Sequence, residues 1–307
     1  MTKSSDDKLY VEWLENCITS EAFGNDAVQF SADCLAELIA KLCKLIREKA
    51  YISTKKSYIQ LLTEAEEILA EYLDILNTGR QEHIEKIVEK QSAWLKDFGK
   101  KINKDYSIPK TLLTSVLFFP ITTNTDYKAM TEKELQKIRD YFSSSAKLAY
   151  VMKQDTSQTE EQFRAKSEKL KSSWETDERT LNTAMFRATT YSILKSNKQK
   201  VVYSSVLDTH TCLLCADCSG KVFEISEAPA LPQHENCRCT LIPVEAVGDS
   251  EILSFSDFIE KLDDNDKKAV LGKSRYELYE KGIKVTSFVN NGEIKPVKEL
   301  KKEFSDN

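Results

Sequence analysis

The amino-acid sequence predicts a mainly α-helical protein, in which long N-terminal helices lead to a small zinc-stapled α+β module and a short helical C-terminal segment. Three observations predict this. Apolar residues recur at helical spacing through the first two thirds of the chain, and only 8 Gly and 6 Pro interrupt its 307 residues. Five of the 8 cysteines and two of the 3 histidines crowd between positions 210 and 239. The first two observations favour long helices. The third places a metal-binding turn late in the chain.

The helical N-terminal region is predicted over 1–105. Leu35, Leu38, Ile39, Leu42, Leu45 and Ile46 form one stripe between Asp26 and Arg47, with Cys34 and Cys43 flanking it as core thiols. Tyr58, Leu61, Leu62, Ala65, Ile68, Leu69, Tyr72 and Leu76 trace a second helix, which Gly79 can close as the residue after the C-cap. A third, through Ile84, Ile87, Val88, Trp94, Leu95 and Phe98, runs to about Asn103. Such a run of amphipathic helices suits a bundle.

A second helical region, 106–200, leads into the module. Pro109 and Pro120 bracket TLLTSVLFF, which reads equally as a buried strand or a buried helix. Thr131 with Glu134 resembles a capping box ahead of Leu135, Ile138 and Phe142. The polar DTSQTEEQ then separates that helix from one over about 161–196. The module itself, 201–250, has β-rich VVYSSVLD before the cysteines and TLIPVEAV after them. From Ser254 the chain turns helical again, and 251–307 forms the C-terminal segment.

Composition excludes several classes. MTKSSDDKLY has no apolar core of a signal peptide and no run of 18 apolar residues occurs, so neither secretion nor membrane spanning is indicated. Cysteines in such a chain read as reduced thiols, for which metal binding outranks disulfides. The net charge of −5 argues against a protein that coats nucleic acid by charge alone. Two local clusters, Lys96, Lys100, Lys101 and Lys104, then Lys195, Lys198 and Lys200, keep duplex DNA a candidate partner, against the alternative of solvated helix faces.

The cysteine segment carries the chemistry. In HTCLLCADCSG, Cys212 and Cys215 form a Cys-x-x-Cys turn; in LPQHENCRC, His234 and Cys237 repeat the spacing and Cys239 follows two residues on. Zn²⁺ takes four tetrahedral thiolate or imidazole ligands, so two ligand pairs about twenty residues apart are a strong zinc signal. Five donors compete for four places: Cys212, Cys215 and Cys237, completed by His234 or Cys239. Cys218 reads as a packing or spare thiol, His210 as a loop residue, Asp208 as an Asx turn former and His83 as structural. A zinc deaminase would need His-x-Glu upstream of the Cys-x-x-Cys, and a zincin His-Glu-x-x-His; neither is present. Four protein ligands leave no metal position for water, so the zinc reads as structural and no enzyme is expected.

These residues resemble the phage head morphogenesis, or Mu F-like minor capsid, family. Its pattern is an Asp, Arg-Thr-Cys-x-x-Cys, a Gly, then Pro-x-His-Pro-x-Cys-Arg-Cys and a Pro; the chain offers Asp208, Thr211, Cys212, Cys215, Gly220, Pro232, His234, Cys237, Arg238, Cys239 and Pro243. Arg179-Thr180 is similar to the family's Arg-Thr-Glu, although Leu181 replaces the acid. Leu271, Gly272, Arg275, Leu278, Gly282, Phe288 and Leu300 resemble its C-terminal segment. His210 stands for the usual Arg and Glu235 for the usual Pro. The resemblance covers about residues 175–302.

It implies a minor head protein of a tailed phage or phage-like particle, associated with the portal vertex and acting in head morphogenesis, DNA packaging or ejection. Portal and capsid proteins would be its partners, and the virion head its location after assembly in the host cytoplasm. Residues 1–105 would dock to the portal or inner capsid, or else close on one another, while the zinc module folds apart from them. Some relatives carry a toxin or ADP-ribosyltransferase domain after the module; the sequence ends soon after it, so none is expected here. Alternative readings are a phage-encoded effector or nuclease with a structural zinc, and a cellular zinc-containing adaptor.

Overall fold

The computed structural model describes residues 5–49, 52–121, 125–234, 237–248, 250 and 252–305. The chain is mainly helical with a small sheet region, as the sequence predicts. Helices α1 (Ser5–Phe23), α2 (Asn25–Glu48), α3 (Lys55–Lys101), α4 (Leu112–Leu117), α5 (Tyr127–Met152), α6 (Thr156–Ser167) and α7 (Lys171–Ser196) come first. Strand β1 (Lys200–Ser204), α8 (Leu213–Cys218), β2 (Val222–Glu224), β3 (Thr240–Pro243) and α9 (Val244–Val247) follow. The chain then forms α10 (Phe255–Lys261), α11 (Asp264–Leu271), α12 (Lys273–Glu280), β4 (Val289–Asn290), β5 (Glu293–Ile294) and α13 (Val297–Ser305). No helix among the described residues is long and apolar enough to cross a membrane.

Two compact units result, one of residues 18–95 and 108–192, the other of 1–17, 96–107 and 193–307. The first is all helix. Its core joins Leu38, Leu42 and Ile46 of α2, Leu61, Leu69 and Leu76 of α3, and Ile138, Phe142 and Ala146 of α5, and Phe142 meets Phe163 of α6 edge to face with 5.4 Å between ring centroids. Cys34 and Cys43 lie in this core as expected, and burial pushes both thiols up to about 11.

Several sequence expectations give way here, each for a packing reason. The second and third N-terminal helices are one helix, the 47-residue α3, and Gly79 sits inside it. A Cβ on Gly79 would stand 2.3 Å from Phe30 Cζ, so the glycine lets α2 approach rather than ending a turn. Gly79→Val should therefore cost about 1–3 kcal/mol by overpacking, read as a lowered urea midpoint; an unchanged midpoint would refute the close-approach account. Thr131 and Glu134 do not cap α5. Asp126 does, accepting from Ala129 N at 2.9 Å, and both residues lie buried inside the helix. TLLTSVLFF contains the short helix α4, and the polar break before α6 shrinks to residues 153–155, with Asp155 as N-cap.

Burying Thr131 and Glu134 creates an ionic centre around Arg80. Arg80 Nε and Nη2 donate to Glu178 Oε2 at 3.0 and 2.8 Å, Nη1 donates to Thr131 Oγ1 at 2.6 Å, and Nη1 lies 2.8 Å from Glu134 Oε2. All three charged side chains are almost wholly inaccessible. One cation thus faces two carboxyl groups in a low-dielectric interior.

The second unit holds the sheet. β1 is central, antiparallel to β2 and β3 in the order β2-β1-β3, with Val202 opposite Ile242 and Tyr203 opposite Leu241. Four of the five β1 residues are buried, which suits its Val-Val-Tyr run as a middle strand. Trp13 of α1 donates to Thr240 Oγ1 of β3 at 3.4 Å and packs edge to face on Phe98 of α3 at 5.1 Å. Residues at both ends of 1–105 therefore belong to the same compact unit as the cysteines. Phe255, Ile259, Leu271, Leu278, Phe288 and Leu300 build a core against Leu213 and Ala216, which lock α8 in place.

Candidate metal centre

Three pieces of backbone bring the donors together. Cys212 is the N-cap of α8 and its sulfur accepts from Cys215 N at 3.4 Å, so the Cys-x-x-Cys turn is the first turn of a helix. The strand pairing of β1 with β3 returns Cys237 and Cys239 beside it. Gly220, with φ +76°, reverses the chain between α8 and β2, and a side chain there would press on Ile252 O at 3.0 Å. That close approach and the positive φ call for glycine.

All five predicted donors converge, in two groups. Cys212, Cys215 and His234 form one, and Cys215, Cys237 and Cys239 the other, each with its donor atoms within 4.8 Å of one another. His234 Nε2 lies 3.2 Å from Cys212 Sγ and 3.3 Å from Cys215 Sγ, and Cys215 Sγ lies 4.0 Å from Cys237 Sγ. A tetrahedral zinc with Zn–S near 2.3 Å spaces its ligand atoms by roughly 3.5–3.8 Å. The spacings fit a single ion, and the clusters could hold one.

Cys215 is common to both groups. Hydrogen bonding with Cys212, Cys237 and Cys239 raises its thiol, while the bond from Cys215 pulls Cys212 down to about 5. Sulfurs this crowded cannot all ionise without a cation between them, which is what a zinc-thiolate site would supply. Cys218 stands outside both groups. His83 pairs with Asn182 in the helical unit, at 2.9 Å. His210 shapes the loop, its N–H donating to Asp208 Oδ1 at 2.9 Å, as the Asx reading of Asp208 implies. Glu235 and Asn236 lie outside the described residues.

Four supporting residues have roles that the sequence does not show, Arg238 among them although it belongs to the family pattern. Arg238 grips Asp208 with both terminal nitrogens, Nη1 to Oδ2 at 2.7 Å and Nη2 to Oδ1 at 2.8 Å, tying the loop before α8 to the segment between Cys237 and Cys239. This bond holds the Asp208 carboxyl down at about 2. The pair's contribution is thus present above the ordinary carboxylate value of 3.8 and is lost as pH falls through about 2. With side chains 40% and 35% exposed, it is a surface pair, and Arg238→Ala should cost about 1 kcal/mol or less at pH 7 in urea melts. A loss beyond about 2 kcal/mol would show the pair to be structural in a way its exposure does not suggest. The other three are Tyr203 and Ser205, which bond to Cys215, and Gln233, which bonds to the Tyr203 hydroxyl; these long-range contacts are ones that spacing cannot reveal.

The candidate DNA-binding lysines are largely matched by acids. Lys100 pairs with Asp97 at 3.0 Å, Lys104 with Glu245 at 2.7 Å, Lys200 with Glu224 at 3.1 Å, and Lys101 with Glu12. These pairs lower the charge that either cluster offers to phosphate.

Residues 126–242 match the model of the family described as Phage Mu protein F like protein. The chain carries a Mu F-like segment. That segment runs from the N-cap of α5 into β3, and it contains all five donors, Asp208, Gly220 and Arg238. It begins well before residue 175, where the sequence resemblance starts, and ends before the C-terminal portion of that resemblance. No curated protein and no solved structure gave a significant match.

Proposed function

We propose that this chain is a minor head protein of a tailed phage or phage-like particle, seated at the portal vertex and acting in head assembly, DNA packaging or ejection without catalysing a reaction. The Mu F-like segment is the observation that carries the reading. The donor set adds to it. Cys212, Cys215 and Cys237, with His234 or Cys239, would hold a structural zinc that leaves no open position for water. Zinc would supply cross-linking within the unit that carries the cysteines.

Portal and capsid proteins are the proposed partners. The test is the composition of purified particles. The full-length chain should be present at low copy in heads that contain the portal and absent from heads assembled without it. Equal amounts in portal-less heads, or none in any head, would overturn the reading. Duplex DNA enters only as a weak contact of the lysine clusters. Such binding should fall steeply between low and high salt through counterion release, and salt-independent binding would contradict the electrostatic account.

A further inference from the structure

Tyr203 lies on the central strand β1 and is fully buried. Its phenol has one proton to donate and an oxygen that accepts. Gln233 Nε2, 2.7 Å away, donates to that oxygen, so the phenolic proton is left for another acceptor. One acceptor within reach is Cys215 Sγ at 3.7 Å, the sulfur common to both donor groups, and Cys239 is a second hydrogen-bond partner of the phenol. Tyrosine is otherwise an expensive choice here. A phenylalanine would fill the same space without a buried hydroxyl, whose desolvation is offset only if it is hydrogen-bonded.

We propose, resting on the metal reading above, that Tyr203 is a positioning residue for the bound metal. Its O–H···S bond orients Cys215 and stabilises it as a thiolate, and Gln233, next to His234, sets the rotation of the phenol. Ser205 completes the frame: its hydroxyl donates to the Cys215 carbonyl and lies 3.5 Å from Cys239 Sγ. Backbone and sulfur of Cys215 are thus both held from β1 and its continuation. Groups that hydrogen-bond to metal ligands in this way change metal affinity by about 10–100-fold.

The experiment compares full-length wild type, Tyr203→Phe and Gln233→Leu by zinc titration against a chromophoric chelator and by the sulfur-to-metal charge-transfer band of the cobalt-substituted protein. Tyr203→Phe should weaken zinc by about 10-fold or more and shift the cobalt band to lower energy, because a thiolate without its hydrogen bond is a better electron donor. Gln233→Leu should move both in the same direction by less. Far-UV circular dichroism of the zinc-loaded proteins controls for folding. Zinc affinity within twofold of wild type and an unmoved band in Tyr203→Phe would overturn the proposal while leaving the metal reading intact. Should Tyr203→Phe not fold, Gln233→Leu decides by the same two readouts. A wild-type protein that takes up neither zinc nor cobalt overturns the metal reading itself, and the role of Tyr203 with it.

Discussion

Cys215→Ser should abolish metal binding and unfold the unit built on the small sheet. Purified wild-type protein is expected to carry about one zinc per chain, since a structural site in zinc peptides gains about 10–16 kcal/mol on binding. That energy matches or exceeds the whole stability of an ordinary domain, about 5–15 kcal/mol, so a unit stapled by it cannot be expected to survive its loss. Cys215 is the most sensitive position because it belongs to both donor groups, whereas His234 and Cys239 belong to one each. Cys218→Ser should keep its metal, because Cys218 belongs to neither. Metal analysis of each variant, with the near-ultraviolet circular dichroism of its aromatic side chains, reads the result. Wild-type protein free of metal, or a Cys215→Ser variant that melts like wild type, would refute the staple.

The donors were legible in the sequence for a physical reason. Ligands two or three residues apart lie on one turn, so spacing alone predicts that Cys212 and Cys215 meet, and the chemistry of thiolate and imidazole does the rest. What holds Cys215 was not legible. Tyr203 bonds to it from β1, and Gln233 bonds to Tyr203 as the chain returns from residue 231, long-range contacts that leave no local pattern. The helices divide the same way. α2 carries a strong apolar stripe and was found within a residue or two, while α1 has no such stripe and was missed. Gly79 marks a helix end or a close helix contact with equal force, and only the position of Phe30 distinguishes them. Thr131 and Glu134 misled in a related way. Their spacing matches a capping box, but it also places two polar side chains on one helix face, where Arg80 receives them.

Arg80 should prove the most sensitive position of the helical unit. Arg80→Met fills similar space but leaves Glu134 and Glu178 buried without a cation, and breaking a buried ion pair from one side costs about 3–5 kcal/mol. The pH dependence should identify the group responsible. Burial, only partly opposed by Arg80, raises the Glu134 carboxyl from 4.5 to about 7, and neither of its oxygens accepts a well-directed hydrogen bond among the described residues. A proton on Glu134 leaves Arg80 and Glu178 as a balanced pair. Between about pH 4.5 and 7 the folded protein therefore holds a proton that the unfolded chain has released, so stability falls as pH rises through this window and is level above it. Glu134→Gln mimics the protonated form. It should match wild type near pH 4.5 and exceed it at pH 8, by on the order of 2–3 kcal/mol, and it should recover part of the loss when combined with Arg80→Met. Urea midpoints at both pH values measure this. If Glu134→Gln is less stable than wild type at pH 8, Glu134 is needed there as a carboxylate and the single-proton account of this centre is wrong.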